Sequence, residues 1–249
     1  MTQPENTRVL LVDDEVDFIN SLGDILREFG YAVSLASDAE TAMSLTREQV
    51  FDVAVVDLKM PGCDGIELQA RLRRQQSDLA TILLTAHADQ QAREAADAAG
   101  FWRILEKPLD IPAMTELLAH YSKAPHLLVV DDEPDFGDAL QQILNQNEIR
   151  AAFCSSIRAA IDSVQQKSFD VILLDLKFPQ ESPVDLVEFL RQHQEETTVL
   201  IMTGHSGDEK IQSILNEIGD TEVIPKPIDI KSLLVRLSSD VATKDTSDE

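Results

Sequence analysis

The chain carries one set of motifs twice. Leu10-Leu11-Val12-Asp13-Asp14-Glu15 returns 118 positions later as Leu128-Val129-Val130-Asp131-Asp132-Glu133. Phe51-Asp52-Val53 and Asp57-Leu58-Lys59-Met60-Pro61 return at the same offset as Phe169-Asp170-Val171 and Asp175-Leu176-Lys177-Phe178-Pro179. Thr85-Ala86-His87 matches Thr203-Gly204-His205, and Lys107-Pro108 matches Lys226-Pro227 after one inserted residue. Solenoid repeats run to about 20–50 residues. This period is the length of one compact domain. The 249 residues are therefore a tandem duplication, expected as domains over 1–124 and 125–240 with an acidic tail over 241–249. Pro125, in the connection Ser122-Lys123-Ala124-Pro125, breaks the preceding helix.

Within each copy, short apolar runs alternate with amphipathic stretches. Val9–Val12, Val53–Val56 and Ile82–Leu84 are apolar on both faces, the mark of strands in a parallel sheet covered by helices on both sides. Tyr31–Ala36 and Ile104–Leu105 supply two weaker strands. Phe18, Leu22, Ile25, Leu26 and Phe29 form one helical stripe, and Ile111, Met114, Leu118 and Tyr121 another. The second copy repeats them with Phe136, Leu140, Ile143 and Leu144, and with Ile230, Leu233, Leu234 and Leu237. Five strand–helix units predict an α/β fold, a doubly wound five-stranded parallel sheet, in each copy.

Composition narrows the function classes. The chain has 21 basic and 45 acidic residues, a net charge of −24. The first 124 residues carry 11 and 21 of these, and the remainder 10 and 24. Both halves are acidic, which argues against direct nucleic-acid binding by phosphate neutralisation and favours proteins or cations as partners. No apolar run is long enough for membrane insertion or a secretory leader. Cys63 and Cys154 have neither disulfide-framework nor zinc spacing, so a cytoplasmic location is expected.

The chemistry lies where the strands end. Asp13, Asp14, Asp57, Thr85 and Lys107 each follow an apolar strand run or its short extension, and Asp131, Asp132, Asp175, Thr203 and Lys226 do so in the second copy. In a parallel sheet such ends lie side by side, and ligands bind beyond them. Three carboxylates pressed together repel one another unless a cation holds them. An all-oxygen donor set without His or Cys suits Mg²⁺. With a lysine and a threonine at the same rim, the set reads as an aspartate that accepts a phosphoryl group beside Mg²⁺. Alone, Asp-Asp-Glu before a helix would be a capping cluster, and each Thr or Lys-Pro a strand end or turn. Their recurrence in order, twice, favours the site.

Each copy resembles the receiver domain of the two-component response regulators, the chemotaxis-regulator-like family. The carriers are Asp-Asp-Glu after strand 1, Asp57 and Asp175 after strand 3, Thr-Ala or Thr-Gly after strand 4, and Lys-Pro after strand 5. The segment Asp57-Leu58-Lys59-Met60-Pro61-Gly62-Cys63-Asp64-Gly65 is especially family-like, and the resemblance spans about residues 8–122 and 127–238. It implies two flavodoxin-like domains. It implies that Asp57 and Asp175 take phosphate from a phosphohistidine on a sensor histidine kinase or histidine phosphotransfer protein. Asp14 and Asp132 would bind Mg²⁺ directly, Asp13 and Asp131 through water, and the Lys59 and Lys177 backbone carbonyls would complete the shell. Thr85 and Thr203 would bond the phosphoryl group, and Lys107 and Lys226 would pair with it, each before a cis proline. Lys59, His87, Lys177 and His205 would flank the path of the hydrolytic water and tune phosphate lifetime. The family often has Tyr or Phe three residues before the lysine, where this chain has Ile104 and Val223. The second copy also has Ser182-Pro183 in place of Asp64-Gly65.

The function expected is a response regulator of two receiver domains, with no residues left over for an output domain, that signals by binding a downstream protein. It is not an enzyme beyond its own phosphorylation and dephosphorylation. A phosphate relay or sink, and a scaffold in which the second domain is not phosphorylated, are the alternatives. A Mg²⁺-dependent phosphatase with an aspartyl nucleophile ranks below them, because it needs an acid where Lys59 and Lys177 stand.

Overall fold

A computed structural model describes residues 7–194, 196–204, 209–219 and 221–244. The chain divides between Lys123 and Ala124 into two compact units. The first contains β1 (Arg8–Val12), α1 (Val16–Glu28), β2 (Ala32–Ala36), α2 (Ala39–Glu48), β3 (Val53–Asp57), α3 (Gly65–Gln75), β4 (Ala80–Thr85), α4 (Gln90–Ala99), β5 (Arg103–Glu106) and α5 (Ile111–Lys123). Its sheet is parallel, in the order β2-β1-β3-β4-β5. β1 and β3 are buried at nearly every position because helices cover both faces. One apolar layer gathers Leu10, Val12, Val56, Leu68 and Leu83, and the other Val9, Leu11, Leu22, Leu26, Met114 and Leu118.

The second unit repeats this with β6 (His126–Val130), α6 (Pro134–Gln146), β7 (Arg150–Cys154), α7 (Ile157–Gln166), β8 (Val171–Asp175), α8 (Pro183–His193), β9 (Thr198–Thr203), α9 (Glu209–Ile218), β10 (Glu222–Pro225) and α10 (Ile230–Lys244). The parallel order is β10-β9-β8-β6-β7. Pro225 sits on the edge strand, where its missing N–H costs no ladder bond. α10 continues to Lys244, so part of the stretch expected as a tail is helical, and residues 245–249 lie outside the described residues. Both sheets are the five-stranded α/β form that the apolar runs predict.

One stripe residue is corrected. Phe29 does not join the core: it is the C-cap of α1 and 52 % exposed. Gly30, at φ 93°, turns the chain there. The Tyr31 N–H then donates back to the Leu26 carbonyl, a left-handed helix ending. Tyr31 takes the buried place beside Leu26, and Ile19 replaces Phe18 as the fully buried residue of the first turn.

Candidate functional site

Strand register assembles the pocket. Val12 pairs with Val56, Asp57 with Leu84 and Thr85 with Glu106. The next residues along, Asp13 and Lys107, therefore leave the sheet beside Asp57 and Thr85. The strand order reverses at β1 and β3, which opens the crevice typical of a doubly wound sheet. The Lys107 N–H donates to the Thr85 carbonyl at 2.8 Å, and the Lys107–Pro108 bond is cis, as is Lys226–Pro227.

Each carboxylate oxygen has its own work. Asp13 Oδ1 accepts from the Glu15 N–H at 2.8 Å, a local turn just ahead of α1 rather than a cap, since α1 has no side-chain cap bond. Its Oδ2 accepts from Lys107 Nζ at 2.6 Å. Asp57 Oδ2 accepts from the Lys59 N–H at 2.7 Å, while its Oδ1 lies 2.7 Å from Lys107 Nζ. Glu15 stands 3.7 Å from the same ammonium. Burial disfavours a charged Lys107, but the hydrogen bonds to Asp13 and Asp57 outweigh it and hold its pKa above the usual lysine value. Burial likewise raises the Asp13 pKa, against the opposing pull of Lys107.

The second unit repeats the pattern more loosely. Asp131 Oδ1 accepts from the Glu133 N–H at 2.9 Å, and its Oδ2 from Lys226 Nζ at 2.5 Å. Asp175 Oδ2 accepts from the Lys177 N–H at 3.3 Å, and its Oδ1 lies 3.4 Å from Lys226 Nζ. Burial raises the Asp175 pKa, with Lys226 opposing it and the Asp131 charge adding to it. Carboxylate oxygens of Asp131, Asp132 and Asp175 all lie within 4.8 Å of one another. Among the described residues no other such acidic group meets that spacing. In the first unit Asp14 is exposed, and Lys107 bridges Asp13 and Asp57.

The remaining sequence-predicted residues fall around these centres. Asp14, Asp57, Lys59, Thr85, His87 and Lys107 line one cleft of about 550 Å³. Thr85 is buried and its hydroxyl donates to the His87 carbonyl at 3.1 Å. The His87 side chain is 90 % exposed and its Nδ1 lies 3.9 Å from Glu106. Lys59 and Lys177 are exposed. Thr203 is buried at the end of β9. His205 lies outside the described residues. Sequence reasoning missed Ile66, Ala92 and Ala95, from α3 and α4, which also line the cleft. The loop after Thr85 was the available signal, since it delivers α4 to that rim.

A lysine ammonium between two buried aspartates thus stands at the carboxyl end of a doubly wound α/β sheet. Residues 9–119 and 127–238 each match the response regulator receiver domain, and the chain belongs to that family. A response regulator receiver protein of Anaeromyxobacter sp. strain Fw109-5 is 32 % identical over 197 residues, covering 79 % of this chain and 82 % of its own. The transcriptional regulatory protein ZraR of Klebsiella oxytoca is 32 % identical over 120 residues. That match covers 47 % of this chain but spans only 27 % of ZraR. The chemotaxis protein CheY4 of Vibrio cholerae, a solved structure, is 26 % identical with a TM-score of 0.44, over 45 % of this chain and 96 % of its own. Among the described residues no helix is long and apolar enough to cross a membrane.

Proposed function

We propose that this chain is a two-receiver phosphorylation switch in which Asp57 and Asp175 each accept a phosphoryl group from a phosphohistidine. A carboxylate oxygen forms the new O–P bond as the N–P bond of the donor breaks and the imidazole leaves. The observation that carries this reading is the lysine held at hydrogen-bond distance from both a buried acceptor and a second buried aspartate. Its permanent positive charge attracts the incoming phosphoryl oxygens. The Thr85 and Thr203 hydroxyls add a donor at the same rim.

The donor set fits Mg²⁺: it is all oxygen, and in the second unit three carboxylates already converge. Asp13, Asp14, Asp57 and the Lys59 carbonyl would hold the ion in the first domain, and Asp131, Asp132, Asp175 and the Lys177 carbonyl in the second. Bound Mg²⁺ supplies charge neutralisation at the phosphoryl oxygens. Lys59, His87 and Lys177 border the route of the water that ends the signal and set its lifetime, and the sequence assigns His205 to the same role in the second copy. The donor is a histidine kinase or phosphotransfer protein, and the output is contact with a downstream protein rather than turnover of a separate substrate. Lys59 and Lys177 stand where an aspartyl phosphatase needs its acid.

Intact-mass counting after incubation with acetyl phosphate and Mg²⁺ tests this. Two phosphoryl additions are expected, one lost in Asp57→Ala and the other in Asp175→Ala. A wild-type chain that gains none refutes the reading.

A further inference from the structure

Phe18 and Phe136 enter the sequence as apolar positions of α1 and α6, and packing alone would explain them. The structure adds a second contact. Lys107 Nζ stands 4.8 Å from the centre of the Phe18 ring. Lys226 Nζ stands 4.6 Å from the centre of the Phe136 ring. Both rings are half-buried. The pairing recurs although the settings differ: Val16 lies two residues before one ring and Pro134 before the other, and the lysine-to-acceptor distance is 2.7 Å in one unit and 3.4 Å in the other.

The chemistry of an ammonium gives this contact a purpose. Lysine is a compact charge on a flexible four-carbon stem, with three N–H donors and no acceptor. Two donors of Lys107 are directed at Asp13 and Asp57, and the exposed Glu15 carboxylate stands farther off at 3.7 Å. A carboxylate at hydrogen-bond distance in place of the ring would fix the stem but cancel more of the charge that an incoming anion needs. A leucine would fill the space but exert no pull on the cation. The negative face of an aromatic ring attracts the ammonium without neutralising it and without occupying an N–H.

We propose that Phe18 and Phe136 are positioning residues, each holding its pocket lysine over the acceptor aspartate through the face of its ring. This rests on the phosphoacceptor reading of the pocket. The ring acts through the lysine.

The test uses the full chain carrying Asp175→Ala, so that binding at the first domain is measured alone. Phe18 is replaced by mono-, di- and trifluorophenylalanine, which keep the shape while draining the ring face, and by Tyr and Leu. Two readouts are taken. In the metal-free protein, proton NMR follows the Lys107 ε-methylene, which a ring face shifts upfield. With Mg²⁺ and beryllofluoride, calorimetry gives the affinity of the phosphoryl analogue. The affinity is expected to fall stepwise with fluorination and by about three- to tenfold in Phe18→Leu, while Tyr retains it and the urea midpoint holds through the fluorinated series. An affinity flat across the fluorinated series overturns the proposal, as does an ε-methylene shift that is the same in wild type and Phe18→Leu. A parent protein that binds no beryllofluoride instead defeats the phosphoacceptor reading, and the metal-free NMR shift still decides whether ring and ammonium are paired.

Discussion

Replacing Lys107 by Met isolates the electrostatics of the first pocket. The ammonium lies 2.6 Å from Asp13 and 2.7 Å from Asp57, whose relative exposures are only 1 % and 7 %. Removing one partner of a buried ion pair costs about 3–5 kcal/mol, against about 0–1 kcal/mol for an exposed pair. The Lys107 side chain is 20 % exposed and the cleft opens to water, which places the loss at the low end, about 3 kcal/mol at pH 7. The single tryptophan, Trp102, packs against Tyr121 in this unit, the ring centres 4.8 Å apart and the planes tilted by 54°. Its fluorescence therefore reports urea unfolding of the first domain within the whole chain, and the midpoint is expected to drop by about 1.5 M at a slope of about 2 kcal/mol/M. The loss depends on pH. Burial already raises the Asp13 pKa, and without the ammonium it rises further. A carboxyl that holds its proton more tightly when folded contributes its stability below the unfolded value of about 3.9, and loses it as pH rises through the folded value. The deficit is thus largest at neutral pH and shrinks toward pH 5 as the Asp13 carboxyl takes up its proton in the folded chain. Adding Asp13→Asn to Lys107→Met recovers part of the loss, because the second charge leaves with the first. A midpoint unchanged by Lys107→Met, or a deficit equal at pH 7 and pH 5, refutes the argument.

Three further outcomes follow from other parts of the structure. A Cβ on Gly65 would stand 2.5 Å from the Asp57 carbonyl oxygen and 3.1 Å from the Leu58 Cα; these are backbone atoms, so Gly65→Ala should lower the first domain's stability by about 1–3 kcal/mol in the same fluorescence assay. Asp38 caps α2 by accepting from the Thr41 N–H at 2.7 Å, and that bond holds its pKa below the usual value. Asp38→Ala should then cost about 1 kcal/mol at pH 7, with the cost fading only as pH falls below the ordinary carboxylate value and through the lowered folded one, where the wild-type carboxyl takes up its proton. Lys59→Ala should shorten the life of the phosphorylated first domain, read by loss of the phosphoryl mass with time; a lifetime equal to wild type would remove Lys59 from the set that tunes hydrolysis.

Much of this was legible because the informative features are local. A strand-length run that is apolar on both faces reads as an interior parallel strand, and the residue after it then lies at the sheet's carboxyl rim. That reasoning places Asp13, Asp57 and Thr85 together without a coordinate, and the repeated Lys-Pro adds Lys107. It weakens for β2 and β5, whose burial is partial, so that only short or uneven runs marked them. It fails for Phe29, because helical period alone does not register that Gly30 ends the helix with a positive φ and hands the buried place to Tyr31. It also passes over the contact of Phe18 with Lys107, which depends on how α1 packs beside the end of β5, 89 positions away.

The difference between the two copies lies in how their loops are tied down. After β3, Gly65 lets the backbone close onto Asp57, its N–H donates to the Leu58 carbonyl at 2.9 Å, and Asp64 caps α3 by accepting from the Glu67 N–H at 2.8 Å. After β8 the same places hold Ser182 and Pro183. Pro183 has no N–H to return, and Ser182 makes no side-chain cap bond. The loop is anchored instead by Glu181, whose carboxylate accepts from the Ile157 N–H at 2.7 Å and the Arg158 N–H at 3.3 Å at the start of α7. A loop fastened to α7 rather than closed onto its own acceptor accompanies the longer Lys177 N–H to Asp175 bond, 3.3 Å against 2.7 Å for Lys59 to Asp57. It also accompanies a lysine standing 3.4 Å from its acceptor and three carboxylates gathered within 4.8 Å. Identical motif residues thus yield two electrostatic settings. In one the lysine bridges the aspartates tightly, while in the other the acidic oxygens converge with a looser cation. A divalent ion gains most where carboxylates already face one another, so on the proposed reading the second domain is expected to hold Mg²⁺ more tightly than the first, a difference that metal titrations of Asp57→Ala and Asp175→Ala chains would measure.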